Sequence, residues 1–202
     1  IELNYTPKQF FKMKDGTKQV LRTKFPTFTA NYRQGIKEIF SSDANYQFVS
    51  FGVTQDLSIR LIDRVTYHVE SGTFIQNNST FFADYKNFNA QSLFFLNNDL
   101  ANSFKLIDNY RFNANDQYLE AHVTIEDNRI LLKRLPFFSK SGILETINVN
   151  YLITEQNINY SEVGYSVNRI FLGMKIGVYA AFEDAEFAAW NIRIGLGGFL
   201  NN

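Results

Sequence analysis

The chain has 202 residues, with twenty Lys+Arg balanced by twenty Asp+Glu, so it is long enough for one substantial domain and lacks the basic excess that nucleic acid selects. It contains no cysteine, which excludes disulfide frameworks and thiolate metal sites. Its 21 Phe and 11 Tyr with only 3 Pro suit strands joined by turns.

Ile1-Glu2-Leu3-Asn4 has neither the basic nor the apolar region of a signal peptide, so the chain is expected to start inside a longer precursor. Two strands are predicted near the N-terminus, at 3–13 and 24–35, around a Lys14-Asp15-Gly16-Thr17 turn. The clearest period-two pattern runs over 48–61. There Val49, Phe51, Val53, Leu57 and Ile59 alternate with Ser50, Thr54, Asp56 and Arg60. After a turn near Ile62-Asp63, Val65, Tyr67 and Val69 alternate with Thr66, His68 and Glu70. Segment 77–115 is long, irregular and rich in Asn and Phe.

Alternation resumes with Leu119, Ala121, Val123 and Ile125 against Glu120, His122 and Thr124. Arg129 to Gly142 does not alternate, and Pro136 with Phe137-Phe138 suggests an irregular stretch packed on a barrel wall or in a lumen. Over 143–154, Ile147, Val149, Tyr151 and Ile153 share one face, which Glu145 breaks. Strands near 159–169, 171–183 and 187–199 finish the chain. The longest apolar candidate, Phe171 to Phe182, contains Lys175 and falls short of the ~18 residues of a spanning helix.

About nine strands result, most near the nine to eleven residues that a tilted strand needs to cross a bilayer. Short turns alternate with a long connection, as in outer-membrane barrels. The expected fold is therefore all-β: an antiparallel transmembrane β-barrel, here the C-terminal part of a larger one, with residues 1–202 as a single domain. A soluble antiparallel sandwich or lipocalin-like barrel also alternates.

Four residues invite a chemical reading. His68 lies two positions from Glu70, and His122 two from Glu120. If their strands were neighbours, the four could gather, yet no Cys or third orienting group stands at a recognisable spacing. They are read as a mixed polar wall, with no catalytic, cofactor-binding or metal residues assigned. No Gly-x-Ser-x-Gly elbow occurs, and Glu183, Asp184 and Glu186 read as a hairpin tip. Gly195-Leu196-Gly197-Gly198 follows no strand-to-helix transition and is not a nucleotide loop. Arg33, Arg60, Arg134 and Arg193 could meet lipopolysaccharide phosphates or pair with acids such as Asp56 and Glu70.

Several segments carry a resemblance. They are Lys24-Phe25-Pro26 with Tyr32 and Gly35-Ile36-Lys37, Val69-Glu70-Ser71-Gly72-Thr73-Phe74, and Asp116-Gln117-Tyr118-Leu119-Glu120-Ala121-His122. To these add Ile130 to Phe138, Tyr160-Ser161-Glu162-Val163-Gly164-Tyr165 with Asn168 to Phe171, and Ile192 to Phe199. Together they resemble an uncharacterised Bacteroidetes outer-membrane family with an N-terminal carboxypeptidase-regulatory-like domain. The resemblance implies the C-terminal barrel of such a protein, located in the bacterial outer membrane. It implies a non-enzymatic, structural or assembly/export role and no cofactor. Expected partners are outer-membrane lipids, lipopolysaccharide and other outer-membrane proteins in a complex, but no nucleic acid. The rival expectations are a channel or receptor for a small solute or glycan, and a barrel-borne lipid-modifying enzyme.

Overall fold

The computed structural model describes the chain except residues 15, 21–22, 39–41, 60–62, 92–101, 109, 128, 156–158, 171–172 and 197–202. Its strands are β1 (Glu2–Tyr5), β2 (Phe11–Lys14), β3 (Thr17–Val20), β4 (Thr27–Gly35), β5 (Asn45–Ser58), β6 (Arg64–Ser79) and β7 (Lys86–Asn87). They continue with β8 (Asn113–Ala114), β9 (Gln117–Asp127), β10 (Leu144–Thr154), β11 (Asn159–Ile170), β12 (Met174–Glu183) and β13 (Glu186–Leu196). Nine of them form one antiparallel sheet in the order β1-β4-β5-β6-β9-β10-β11-β12-β13. The predicted 3–13 strand divides: β1 joins the sheet on β4, whereas β2 pairs with β3 as a separate hairpin. Asp184 and Ala185 both have positive φ, 50° and 67°. That is the backbone of a two-residue I′ connection, whose twist suits β12 and β13.

Because side chains alternate along a strand, the registers sort the long strands into two faces. Leu57, Val65, Ile125, Ile147, Tyr165, Val178 and Ile192 align in one row. One residue along, Asp56, Thr66, Thr124, Asn148, Gly164, Tyr179 and Asn191 align on the opposite face. An antiparallel sheet ordinarily packs its apolar face and solvates its polar one. Here the order is inverted: Phe51 is 65 % and Trp190 62 % exposed on the apolar face. The polar face is covered by the connection between β6 and β9. Phe88, Phe104, Ile107, Phe112 and Ala114 from that connection pack against Tyr46, Phe48, Phe74, Tyr118, Leu152 and Tyr160. Glycines on the covered face make room for rings. A Cβ on Gly164 would meet Tyr179 at 2.1 Å, and one on Gly72 would meet Tyr118 at 2.6 Å.

Glu145, which interrupts the apolar row, is accounted for locally. Its carboxylate accepts the backbone N–H groups of Leu131, Leu132 and Lys133 at 2.6, 3.0 and 3.0 Å, and the Tyr165 hydroxyl at 2.7 Å. Burial alone would raise this carboxyl, but these four donors hold it below the ordinary value. It anchors the Leu132–Arg134 3₁₀ turn. Of the two expected placements of the stretch around that turn, on a wall or in a lumen, its 131–133 backbone lies against the sheet at Glu145, with Phe137 and Leu135 exposed.

The expected transmembrane barrel does not form. β1 and β13 each have a single neighbour in the sheet, so the described strands leave it open. Free N–H and C=O groups along such edges cannot be left in hydrocarbon. The assignment as an integral outer-membrane barrel therefore fails, and the outer-membrane location and the structural or assembly/export role fail with it. Among the described residues no helix is long and apolar enough to cross a membrane. An open, charge-lined channel is also overturned, because the polar face is filled by the Phe88–Ala114 cluster. The physical reason for the miss is that alternation reports which face a side chain takes, not whether the outermost strands pair. Arg60, Phe171, Gly197, Gly198 and Phe199, named in the sequence reading, lie outside the described residues.

Candidate functional site

The polar face gathers the four residues that the sequence left apart. β6 and β9 are neighbours, and their register sets His68 opposite His122 and Glu70 opposite Glu120. All four sit on even positions and so share the covered face. Lys86, from β7 in the covering connection, inserts its ammonium between the carboxylates, 2.7 Å from Glu70 Oε1 and 2.9 Å from Glu120 Oε1. The Tyr118 hydroxyl also donates to Glu70. Each histidine is tied outward: Thr54 Oγ1 is 2.7 Å from His68 Nδ1, and His122 Nδ1 is 3.0 Å from Asn150 Oδ1. The Phe104 ring stands edge-on to His122 at 4.7 Å, and His122 is only 2 % exposed. It is therefore not the rim-located histidine that a lipid-modifying site would present.

The network continues to the next strands. Asn150 Nδ2 donates to Glu162 Oε2 at 3.0 Å. Glu162 also accepts the backbone N–H groups of Lys105 and Leu106, both at 2.7 Å, and the Tyr160 hydroxyl at 2.6 Å. Arg193 donates to the Lys105 carbonyl at 2.5 Å. Polar groups thus fasten the covering connection at Lys86, at the 105–106 backbone, through the Arg111–Glu183 ion pair and through the Asn115 N–H to Glu155. Of the arginines marked in the sequence, Arg193 is buried in this network and Arg33 lies over the Phe48 ring. Asp56 pairs with Arg64, and Glu70 with Lys86.

His68, Glu70 and Glu120 offer ligand atoms within 4.8 Å of one another. A divalent ion bound there would have to displace Lys86, whose ammonium already bridges the two carboxylates. Burial would lower Lys86, but Glu120 and Glu70 outweigh it and hold the ammonium above the ordinary lysine value. Burial would raise Glu120, yet His122 and Lys86 hold it below its ordinary value. His68 is pushed down by burial, with Glu120 pulling the other way.

These shifts fix a pH dependence. Folding depresses the pKa of His68 and of Glu120, so the unfolded chain binds protons first as the medium is acidified. The stability contributed by His68 is complete above its ordinary value of 6.5 and is lost as pH falls below it; Glu120 acts likewise below 4.5. The urea midpoint is expected to fall between about pH 7.5 and pH 5.5. His68→Gln should flatten that slope. A midpoint insensitive to pH in the unsubstituted chain would contradict the burial of His68.

The opposite face differs in chemistry. Its row Gln55, Tyr67, Val123, Val149, Val163, Ala180 and Trp190 contains no charge. A cleft of about 520 Å³ opens on this face where the strand positions narrow to Ser71 and Thr73 between Phe51 and Leu119. Sequence reading missed Lys86 as the partner of the acidic pair. Only the path of the connection brings it there, and its neighbours carry no motif.

Residues 1–167 match the model of a family described as a family of unknown function (DUF5686), C-terminal domain. No curated protein and no solved structure matches the chain. The family's description names no barrel, no membrane, no lineage and no carboxypeptidase-like domain. The resemblance to a Bacteroidetes outer-membrane family is corrected accordingly.

Proposed function

We propose, from the premise that the chain belongs to the DUF5686 C-terminal domain family, that it is a binding module whose exposed sheet face contacts lipid acyl chains. The observation that carries this reading is the mainly apolar face extending across the long strands, with Phe28, Phe51, Val163, Val178, Trp190 and Ile192 exposed. Monomeric proteins rarely leave contiguous apolar surface of this kind uncovered. Protein interfaces carry about one hydrogen bond per 100–200 Å², whereas these rows offer few donors or acceptors. Acyl chains require none. The contact is with one face, so it does not place the sheet edges in hydrocarbon.

The polar cluster supports binding over catalysis. Its carboxylates are engaged by Lys86 and Tyr118, and its histidines lie under the covering connection.

Trp190 is the sole tryptophan and lies on the exposed face, so it reports contact directly. Mixed with phosphatidylcholine vesicles brominated on the acyl chains, the chain should show quenched Trp190 fluorescence relative to vesicles without bromine. Val163→Glu places a charge at an exposed position on that face and is expected to remove the quenching while leaving the unfolding midpoint nearly unchanged. Equal fluorescence in both vesicle types would overturn the proposal.

A further inference from the structure

We propose that His68, Glu70, Glu120 and His122 form a zinc site whose ion exchanges with the ammonium of Lys86. The four side chains lie on the covered face, so the site stands apart from the lipid-contact reading. Each carboxylate divides its two oxygens. Oε1 of Glu70 and Oε1 of Glu120 take Lys86 at 2.7 and 2.9 Å. Oε2 of Glu70 faces His68 Nε2 at 3.9 Å, and Oε2 of Glu120 faces His122 Nε2 at 3.5 Å. Both separations exceed an ordinary N–H···O bond. They are slightly wider than the ~3.3 Å between neighbouring ligand atoms around a tetrahedral ion with bonds of ~2.0–2.1 Å, so modest side-chain rotation brings the atoms to an ion. His68, Glu70 and Glu120 supply ligand atoms within 4.8 Å of one another. His122 Nε2, beside Glu120, is the fourth donor.

The outer nitrogens of both rings are already committed. Asn150 Nδ2 donates to Glu162, which leaves Asn150 Oδ1 as the acceptor of His122 Nδ1–H. In the neutral ring the Nε2 lone pair then points into the cluster, toward a carboxylate oxygen that repels it. His68 Nδ1 is tied to Thr54 Oγ1 at 2.7 Å. An imidazole whose second nitrogen is hydrogen-bonded to an oxygen is the arrangement that orients a metal-ligating histidine. Charge points the same way. With neutral imidazoles, two carboxylates against one ammonium leave one negative charge in excess, which a divalent ion in place of Lys86 removes. A hollow of about 300 Å³, lined in part by Arg33, Phe48, Glu70 and Lys86, opens beside the ammonium and gives an ion its way in. Two imidazoles and two carboxylates suit zinc and suit magnesium or calcium poorly.

The test is titration of the chelator-treated chain with zinc chloride and, for its visible spectrum, with cobalt(II) chloride. Zinc should bind one per chain, and cobalt(II) should show the intense bands of a four-coordinate ion. Magnesium chloride should give no saturable event. His68→Gln should weaken zinc on the order of tenfold or more, at least the loss that follows removal of a ligand's outer hydrogen bond. Lys86→Met removes the competing ammonium, so that variant should bind zinc more tightly than the unsubstituted chain, and zinc should raise its urea midpoint. If Lys86→Met does not fold, the cobalt spectrum of the unsubstituted chain and the His68→Gln comparison still decide. No stoichiometric zinc binding, an octahedral cobalt spectrum, or zinc affinity untouched by His68→Gln would overturn the site. A folded Lys86→Met chain with no gain in zinc affinity would overturn the exchange.

Discussion

Replacing Lys86 by Met should cost about 3–5 kcal/mol of folding free energy, the range found when one partner of a buried ion pair is removed. Met keeps the apolar stem and deletes only the ammonium. Glu70 and Glu120 then face each other across β6 and β9 with no counter-charge between them. Their side chains are largely buried, 13 % and 7 % exposed, so water screens them little. The loss should shrink in acid, where the unpaired carboxylates can take up protons. Removing the acids as well should restore much of the stability, because a neutral, well-packed site avoids the stranded charges. Urea denaturation of Lys86→Met and of the triple variant with Glu70→Gln and Glu120→Gln checks both claims. A single variant as stable as the parent chain would show that the cluster does not depend on Lys86.

Glu162→Ala should be comparably damaging, at about 3–5 kcal/mol, for a different reason. Glu162 is 0 % exposed and accepts four hydrogen bonds, two from the Lys105 and Leu106 backbone and two from Tyr160 and Asn150. Alanine leaves those donors buried without an acceptor, at roughly 1–3 kcal/mol for each group that finds no substitute. Gln keeps one acceptor oxygen and should cost less. Because the carboxylate fastens the covering connection, amide exchange at Lys105 and Leu106 should accelerate more than exchange in the β9–β11 ladder. Uniform acceleration throughout the sheet would show that Glu162 stabilises the whole domain and not this attachment.

The sequence by itself determined the long strands from β5 onward and the division of their side chains. From β5 onward the alternation is nearly unbroken. A shift of one residue would exchange Phe51 with Ser50, or Val123 with His122, between faces. Hairpin order followed from the short turns at 184–185 and between β11 and β12. The possible meeting of His68, Glu70, Glu120 and His122 was also legible, because all four occupy one phase of two strands. Their meeting needed only that those strands be neighbours.

What alternation could not decide was closure, because an open sheet and a closed barrel have the same period. Whether β1 meets β13 depends on the accumulated course of the whole sheet, which no local pattern encodes. The path of the connection between β6 and β9 was equally hidden. Its Asn and Phe content reads as irregular loop, yet Phe88, Phe104 and Phe112 are buried on the polar face and Lys86 bridges the two carboxylates there. Tertiary structure also explained Glu145, an acid in an apolar row that becomes the acceptor for three backbone N–H groups. Local period assigns a side chain to a face, and only the packed chain supplies its partner.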